Sequence, residues 1–163
     1  MASAPDILVT ATDSPRILLV VEAKLAVKDL ADIEPQLKRY MVKMGVPVGL
    51  FVTPKIMGIY RNKYTGKSEE SVERVKLFDI PTSWSVFSRF LHLIPEKSAG
   101  QKASNVAMAF EENVQSWLEH LRTSGFLQDI SPEAQDAFSD YILPALNEGT
   151  IRAAHPREYF REQ

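Results

Sequence analysis

Hydrophobic positions in the first half of the chain fall into short runs separated by polar turns. "DILVTAT" (6–12) and "RILLVVEAKL" (16–25) are apolar and rich in β-branched residues, and Asp13, Ser14 and Pro15 stand between them. This pattern predicts two strands joined by a tight turn, and hence an antiparallel pair. "EPQLKRYMVKMG" (34–45) changes to helical spacing, with Leu37, Tyr40, Met41 and Met44 on one side, Pro35 in the first turn and Gly45 at the C-terminal cap. "VPVGLFVTP" (46–54) reads as an apolar strand. "IMGIYRN" (56–62) and "SVERVKLFDI" (71–80) read as a second hairpin around "KYTGKSEE" (63–70). The expectation is a mixed α/β layer of about five strands with one inserted helix.

After Pro81 the periodicity is helical only. "TSWSVFSRFLHLIP" (82–95) predicts one helix. A second, over 104–125, sets Val106, Phe110, Val114, Trp117, Leu118 and Leu121 on one stripe. A third, over 131–149, opens on Ser131 and Pro132 and aligns Ala134, Phe138, Tyr141 and Ile142. Residues 95–104 are the linker candidate. Two regions follow: an α/β core over 1–80, and a helical region over 81–163 packed on the core or appended to it. Trp84, Phe87, Phe90, Trp117 and Phe138 are expected in the core of the helical part.

Composition narrows the chemistry. With 163 residues, 45% hydrophobic and 25% charged, the chain has the make-up of a folded globular protein. No apolar run approaches the roughly 20 residues that span a bilayer, and the first residues lack a leader pattern, so the expected compartment is the cytoplasm, with no membrane partner. The absence of cysteine excludes disulfides, thiolate metal sites and cysteine nucleophiles. A net charge of −2 hides an asymmetry: residues 1–67 carry ten Lys/Arg against six Asp/Glu, and residues 68–163 carry nine against fifteen. A basic first half suits a polyanion, although solvated surface accounts for such an imbalance equally well.

One detail breaks the strand pattern. Glu22 and Lys24 sit two residues apart, on one face of an otherwise apolar strand, where an unpaired charge costs several kcal/mol. Such a pair serves either as a structural ion pair or in chemistry. Asp6 opens the preceding strand, and a hairpin turned at 13–16 brings it close to Glu22. Two carboxylates beside an ammonium form a hard oxygen site suited to Mg2+ or Mn2+, with the lysine placed to orient or deprotonate a water. That equipment suits hydrolysis of a phosphodiester.

"PD" at 5–6 and "EAK" at 22–24, each on its own strand, resemble the signature of the PD-(D/E)xK nuclease superfamily. Gln36 and Tyr40, at i and i+4 on the next helix, resemble the Q-x-x-x-Y element of its RecB-like and type I restriction-enzyme-like branches. The resemblance covers roughly residues 5–61. It implies a restriction-endonuclease-like mixed β-sheet with flanking helices, here followed by a C-terminal helical appendage. It also implies a metal held by Asp6, Glu22 and the carbonyl of Ala23, catalysis by Asp6, Glu22 and Lys24, and substrate contacts or support from Gln36 and Tyr40. Lys38 and Arg39, expected to adjoin the site, are candidate phosphate contacts, and DNA is the expected substrate.

Family members carry a helix and a strand before the "PD" strand, the helix often bearing a further acidic residue, whereas "MASA" alone precedes Pro5 here. Either the start is truncated, or another chain or the C-terminal helices are expected to supply that layer, and an open edge on the first strand would favour a homodimer. A relative that keeps the fold for nucleic-acid binding or assembly, without catalysis, is the alternative. His92, His120 and His155 lack ligand spacing and are expected at the surface. "YTGK" (64–67) reads as a hairpin tip, with Lys63, Tyr64 and Lys67 as weaker nucleic-acid contacts.

Overall fold

A computed structural model describes residues 5–25, 30–91, 101–124 and 130–157. His92 and residues 95–100 of the linker candidate lie outside them. The chain forms a mixed α/β structure around a six-stranded sheet of order β5-β4-β3-β2-β1-β6. β1 (Ile7–Ala11) and β2 (Ile17–Ala23) make the antiparallel hairpin that the apolar runs predict, with Ile7 opposite Val21. Helix α1 (Leu30–Met44) then carries the chain back over the sheet, so that β3 (Val48–Val52) pairs parallel to β2, Ala23 beside Val52. β4 (Ile56–Asn62) and β5 (Val72–Asp79) continue antiparallel from β3. Gly45 takes a left-handed φ of 65° and ends α1 as its position suggests. Pro35 lies inside α1 rather than in its first turn, because the helix begins at Leu30.

Side-chain alternation divides the core between the two faces. Val20, Phe51 and Tyr60 face α1 and pack with Leu37, Met41, Val46 and Val72. Leu19, Val21, Leu50, Val52, Met57 and Ile59 face the other way, onto α2 (Gln101–Ser124), α3 (Pro132–Ala137) and α4 (Leu143–Glu148). The α2 stripe of Phe110, Val114, Trp117, Leu118 and Leu121 is buried as expected, and Trp117 and Phe138 meet edge to face at 6.0 Å. Met44, grouped with the α1 stripe in the sequence, is instead half exposed.

Three expectations for the second half change. Residues 82–91 form successive turns and one 3-10 turn (Ser88–Phe90), not a helix. Their bonds run from Trp84 N–H to Pro81 O, Ser88 N–H to Ser85 O and Leu91 N–H to Ser88 O, and the Ser88 hydroxyl also donates to Ser85 O. Serine side chains competing for backbone groups weaken an α-helix here. The predicted 131–149 helix is interrupted by a π turn (Phe138–Ile142), whose wider coil accommodates Pro144 at the start of α4.

Nor is the region after Pro81 wholly helical. β6 (Gly149–Ala153) leaves α4 directly and pairs antiparallel with the free side of β1, from Ile7 opposite Ala153 to Ala11 opposite Gly149. Gly149 makes the junction possible: a Cβ there would lie 2.5 Å from Val9 Cγ1, 2.8 Å from the Thr10 carbonyl oxygen and 3.2 Å from that of Ala145. The β1 edge, on which a homodimer was expected, is therefore filled by the chain itself. No described helix is long and apolar enough to cross a membrane.

Candidate metal and acid–base site

Strand directions decide which residues meet. β1 starts, β2 ends and β6 ends at the same end of the sheet, which brings Asp6, Ala23–Lys24 and Ala154–His155 together. Asp6 extends the ladder on both sides, its N–H donating to Val21 O and its C=O accepting from Ala154 N–H, both at 3.0 Å. Its side chain then replaces a ladder acceptor: Oδ2 accepts the Ala23 N–H at 2.8 Å. Lys24, just beyond β2, donates its backbone N–H to Val52 O at 2.9 Å. That fixes the base of a side chain whose Nζ lies 3.4 Å from Asp6 Oδ2 and 3.5 Å from Glu22 Oε2. Asp6 and Glu22 are 4% and 3% exposed while the Lys24 side chain is 35% exposed, so two buried carboxylates face solvent through a half-buried lysine.

The second half of the chain adds three groups that the sequence did not assign. Glu111 of α2, 8% exposed, and His155, just after β6, bring ligand atoms to within 4.8 Å of each other and of Asp6. His155 is 41% exposed, at the surface as expected, but its Nε2 lies 3.9 Å from Asp6 Oδ1, so it borders the cluster rather than standing alone. Arg157 Nε lies 3.5 Å from Glu111 Oε1. Two signals were present in the sequence: Glu111 precedes Val114 and Leu118 on the buried stripe, and Ile151, Ala153, His155 and Arg157 share one strand parity.

Electrostatics follows from three carboxylates in little water. Burial pushes the Glu22 carboxyl up to about 7, the Asp6 charge adds to this, and the Lys24 ammonium only partly offsets it. Glu111 is raised by burial and by Asp6, against the pull of Arg157, His155 and Lys24. Burial lowers the Lys24 ammonium, but Asp6 and Glu22 outweigh it, so its pKa lies above the ordinary lysine value. With the carboxylates beside it and no cation bound, Lys24 carries its positive charge at neutral pH.

The candidate helix residues lie on α1, which packs on the face of the sheet that carries Val20, Phe51 and Tyr60. Tyr40 packs beside Val20 and Leu37 on the α1 face, and burial raises its phenol; Gln36 is half-buried one turn earlier. Lys38 pairs with Glu34 at 3.5 Å and Arg39 with Glu69 at 3.3 Å. Glu34 also accepts the Tyr60 hydroxyl at 2.7 Å and Arg74 at 3.2 Å, so it anchors a network under the helix. Lys38 and Arg39 are thus engaged in ion pairs: the first partner, Glu34, stands one helical turn earlier at i,i+4, whereas the second, Glu69, is brought up only by the fold. At the hairpin tip, Tyr64 adopts a left-handed φ of 56° and donates its hydroxyl to Gly45 O at 3.2 Å, tying the loop to the end of α1. His120 is exposed, as expected.

A divalent cation fits the donor set. Glu22 Oε2 and Glu111 Oε1 are buried without a hydrogen bond, each facing only a side-chain cation at 3.5 Å, Lys24 and Arg157 respectively, so each has acceptor capacity to spare. Carboxylates with one imidazole suit Mn2+ as well as Mg2+. Comparisons of the chain with protein-family models, curated proteins and solved structures find no match.

Proposed function

We propose that this protein is a divalent-metal-dependent nuclease with a restriction-endonuclease-like fold, hydrolysing DNA phosphodiester bonds. The observation that carries the reading is the convergence of Asp6 and Glu22 on Lys24 from two adjacent strands. Support for the fold comes from the order of parts: an antiparallel hairpin, a crossover helix, then a parallel strand at β3. α2 and β6 are counterparts of the helix and strand that precede the first catalytic strand in that superfamily, and Glu111 is the counterpart of its further acidic residue.

Asp6, Glu22 and Glu111, with His155 and the Ala23 carbonyl, would hold the cation. When bound, a divalent cation neutralises phosphate charge and makes a water more acidic. The carboxylates fix the position of that charge, and their burial excludes competing water. Lys24, an ammonium at neutral pH, stabilises the negative charge that develops on the phosphate oxygens and can protonate a departing alkoxide.

The test is DNA incubated with Mg2+ or Mn2+ and wild-type protein, beside Asp6→Ala, Glu22→Ala and Lys24→Ala, with folding checked by circular dichroism. Loss of the charge-stabilising groups is expected to lower cleavage on the order of 100- to 1,000-fold. Cleavage untouched by all three substitutions refutes these roles. A second reading is a nucleic-acid-binding or assembly module without catalysis, favoured by the fact that Lys24 and Arg157 already pair with the carboxylates. DNA binding that is indifferent to divalent metal, with no cleavage, selects it.

A further inference from the structure

Arg157 is the cluster member that the proposed reaction leaves unused, and its hydrogen bonding is incomplete. Its side chain is 10% exposed, yet Nε and Nη2 are both buried without a hydrogen-bond partner, and Glu111 Oε1, at 3.5 Å, is likewise without a hydrogen bond. Guanidinium N–H groups removed from water and left unmatched are costly, whereas the same groups facing an oxyanion form paired, charge-assisted bonds. The neighbourhood selects the anion. Asp6, Glu22 and Glu111 contribute three negative charges, and Lys24 and Arg157 two positive ones. A divalent cation alone would leave the cluster with one positive charge in excess when His155 is neutral. One monoanionic phosphodiester restores neutrality, and Nη2 of the guanidinium fork, next to the Nε that faces Glu111, is a donor suited to one of its non-bridging oxygens.

We infer that Arg157, brought to the site by the segment that follows β6, is a phosphate-binding residue whose Nη2 donates to a non-bridging oxygen of the scissile or adjoining phosphate while Nε stays beside Glu111. The inference rests on the nuclease reading for the identity of the phosphate, and on the unmatched guanidinium groups for the site itself. Because cation and phosphate balance each other's charge, each binds better in the presence of the other.

The test uses the full chain and inorganic phosphate, titrated by calorimetry with and without Mg2+. Phosphate is expected to bind the wild type in the presence of Mg2+. Arg157→Gln should raise the phosphate Kd on the order of 10- to 100-fold, the range typical of losing charge-assisted bonds. Arg157→Lys keeps the charge beside Glu111 but lacks the fork, and should give a loss of roughly tenfold. It also serves as the working variant should Arg157→Gln fail to fold by thermal melting. No phosphate binding by the wild type with Mg2+, or equal affinity in the wild type and a folded Arg157 variant, overturns the inference. DNA cleavage separates the two claims. Arginine-dependent phosphate binding without any DNA cleavage refutes the nuclease reading alone. Wild-type cleavage with kcat and KM unchanged in Arg157→Gln refutes the role of Arg157 alone.

Discussion

The most informative single substitution is Glu22→Gln in metal-free protein, because it separates the cost of the site from its use. In the unfolded chain the Glu22 carboxyl ionises at its ordinary value of 4.5; in the fold it holds its proton until about 7. Between those values the folded state binds more protons than the unfolded one, so raising the pH through the window lowers stability, and the deficit is complete above about pH 7. A difference of 2.5 between those two values corresponds to about 3 kcal/mol. Glutamine has nearly the same shape and no charge to bury. The variant is therefore expected to match the wild type near pH 4.5 and to exceed it at pH 8 by about 3 kcal/mol, or roughly 6–12 °C in Tm for a chain of this size. Urea denaturation of both proteins at the two pH values measures the gap directly. Mn2+ should narrow it, because a cation bound by the Glu22 carboxylate stabilises the wild type alone. A gap of the same size at both pH values, or a variant less stable than the wild type at pH 8, refutes the account of Glu22 as a strained carboxylate.

Three further outcomes follow from the packing. Gly149→Ala places a methyl group against two backbone oxygens and Val9, and is expected to cost about 1–3 kcal/mol in urea denaturation; stability equal to wild type contradicts the close approach of α4 and β6 to β1. Phe138→Ala removes a fully buried ring that meets Phe78 at 5.9 Å and Trp117 at 6.0 Å, and should lower stability by about 3–5 kcal/mol by the same measurement. Tyr60→Phe deletes the 2.7 Å hydroxyl bond to Glu34, for an expected loss of about 1–3 kcal/mol, while leaving metal-dependent cleavage intact, because the hydroxyl's partners are Glu34 and, through it, Arg74, rather than Asp6, Glu22 or Lys24. Reduced cleavage by folded Tyr60→Phe would tie the network to the site.

The parts legible in the sequence are those whose signal is local. β1 to β5 and α2 each carry enough consecutive apolar positions to declare their period, and the displaced charges at Glu22 and Lys24 mark the site because they violate the period of their own strand. β6 escaped for the opposite reason: five residues entered directly from a helix, with Thr150 and Arg152 exposed around Ile151, are too few to distinguish a strand from a helix end. Glu111, His155 and Arg157 are separated from Asp6 by most of the chain. Their meeting depends on the β1–β6 ladder and on α2 crossing the sheet; stripe position and strand parity tell which face each residue takes, not what it meets there. The turns over 82–91 show a related limit, since helical spacing of aromatic residues also satisfies a segment that only caps the core.

The β1–β6 pairing also sets the order in which the molecule is built. β1 is the first described strand to leave the ribosome and β6 the last, so β1 can pair with β2 at once but must wait for its other neighbour. Contacts so distant in sequence cost the most chain entropy to close and are slow to form. Until they do, the nascent sheet presents an open hydrogen-bonding edge, the kind of surface on which growing chains join one another. When β6 docks, it ends that exposure and delivers His155 and Arg157 in the same step. The β1 edge is thus covered in the same step that completes the charge cluster.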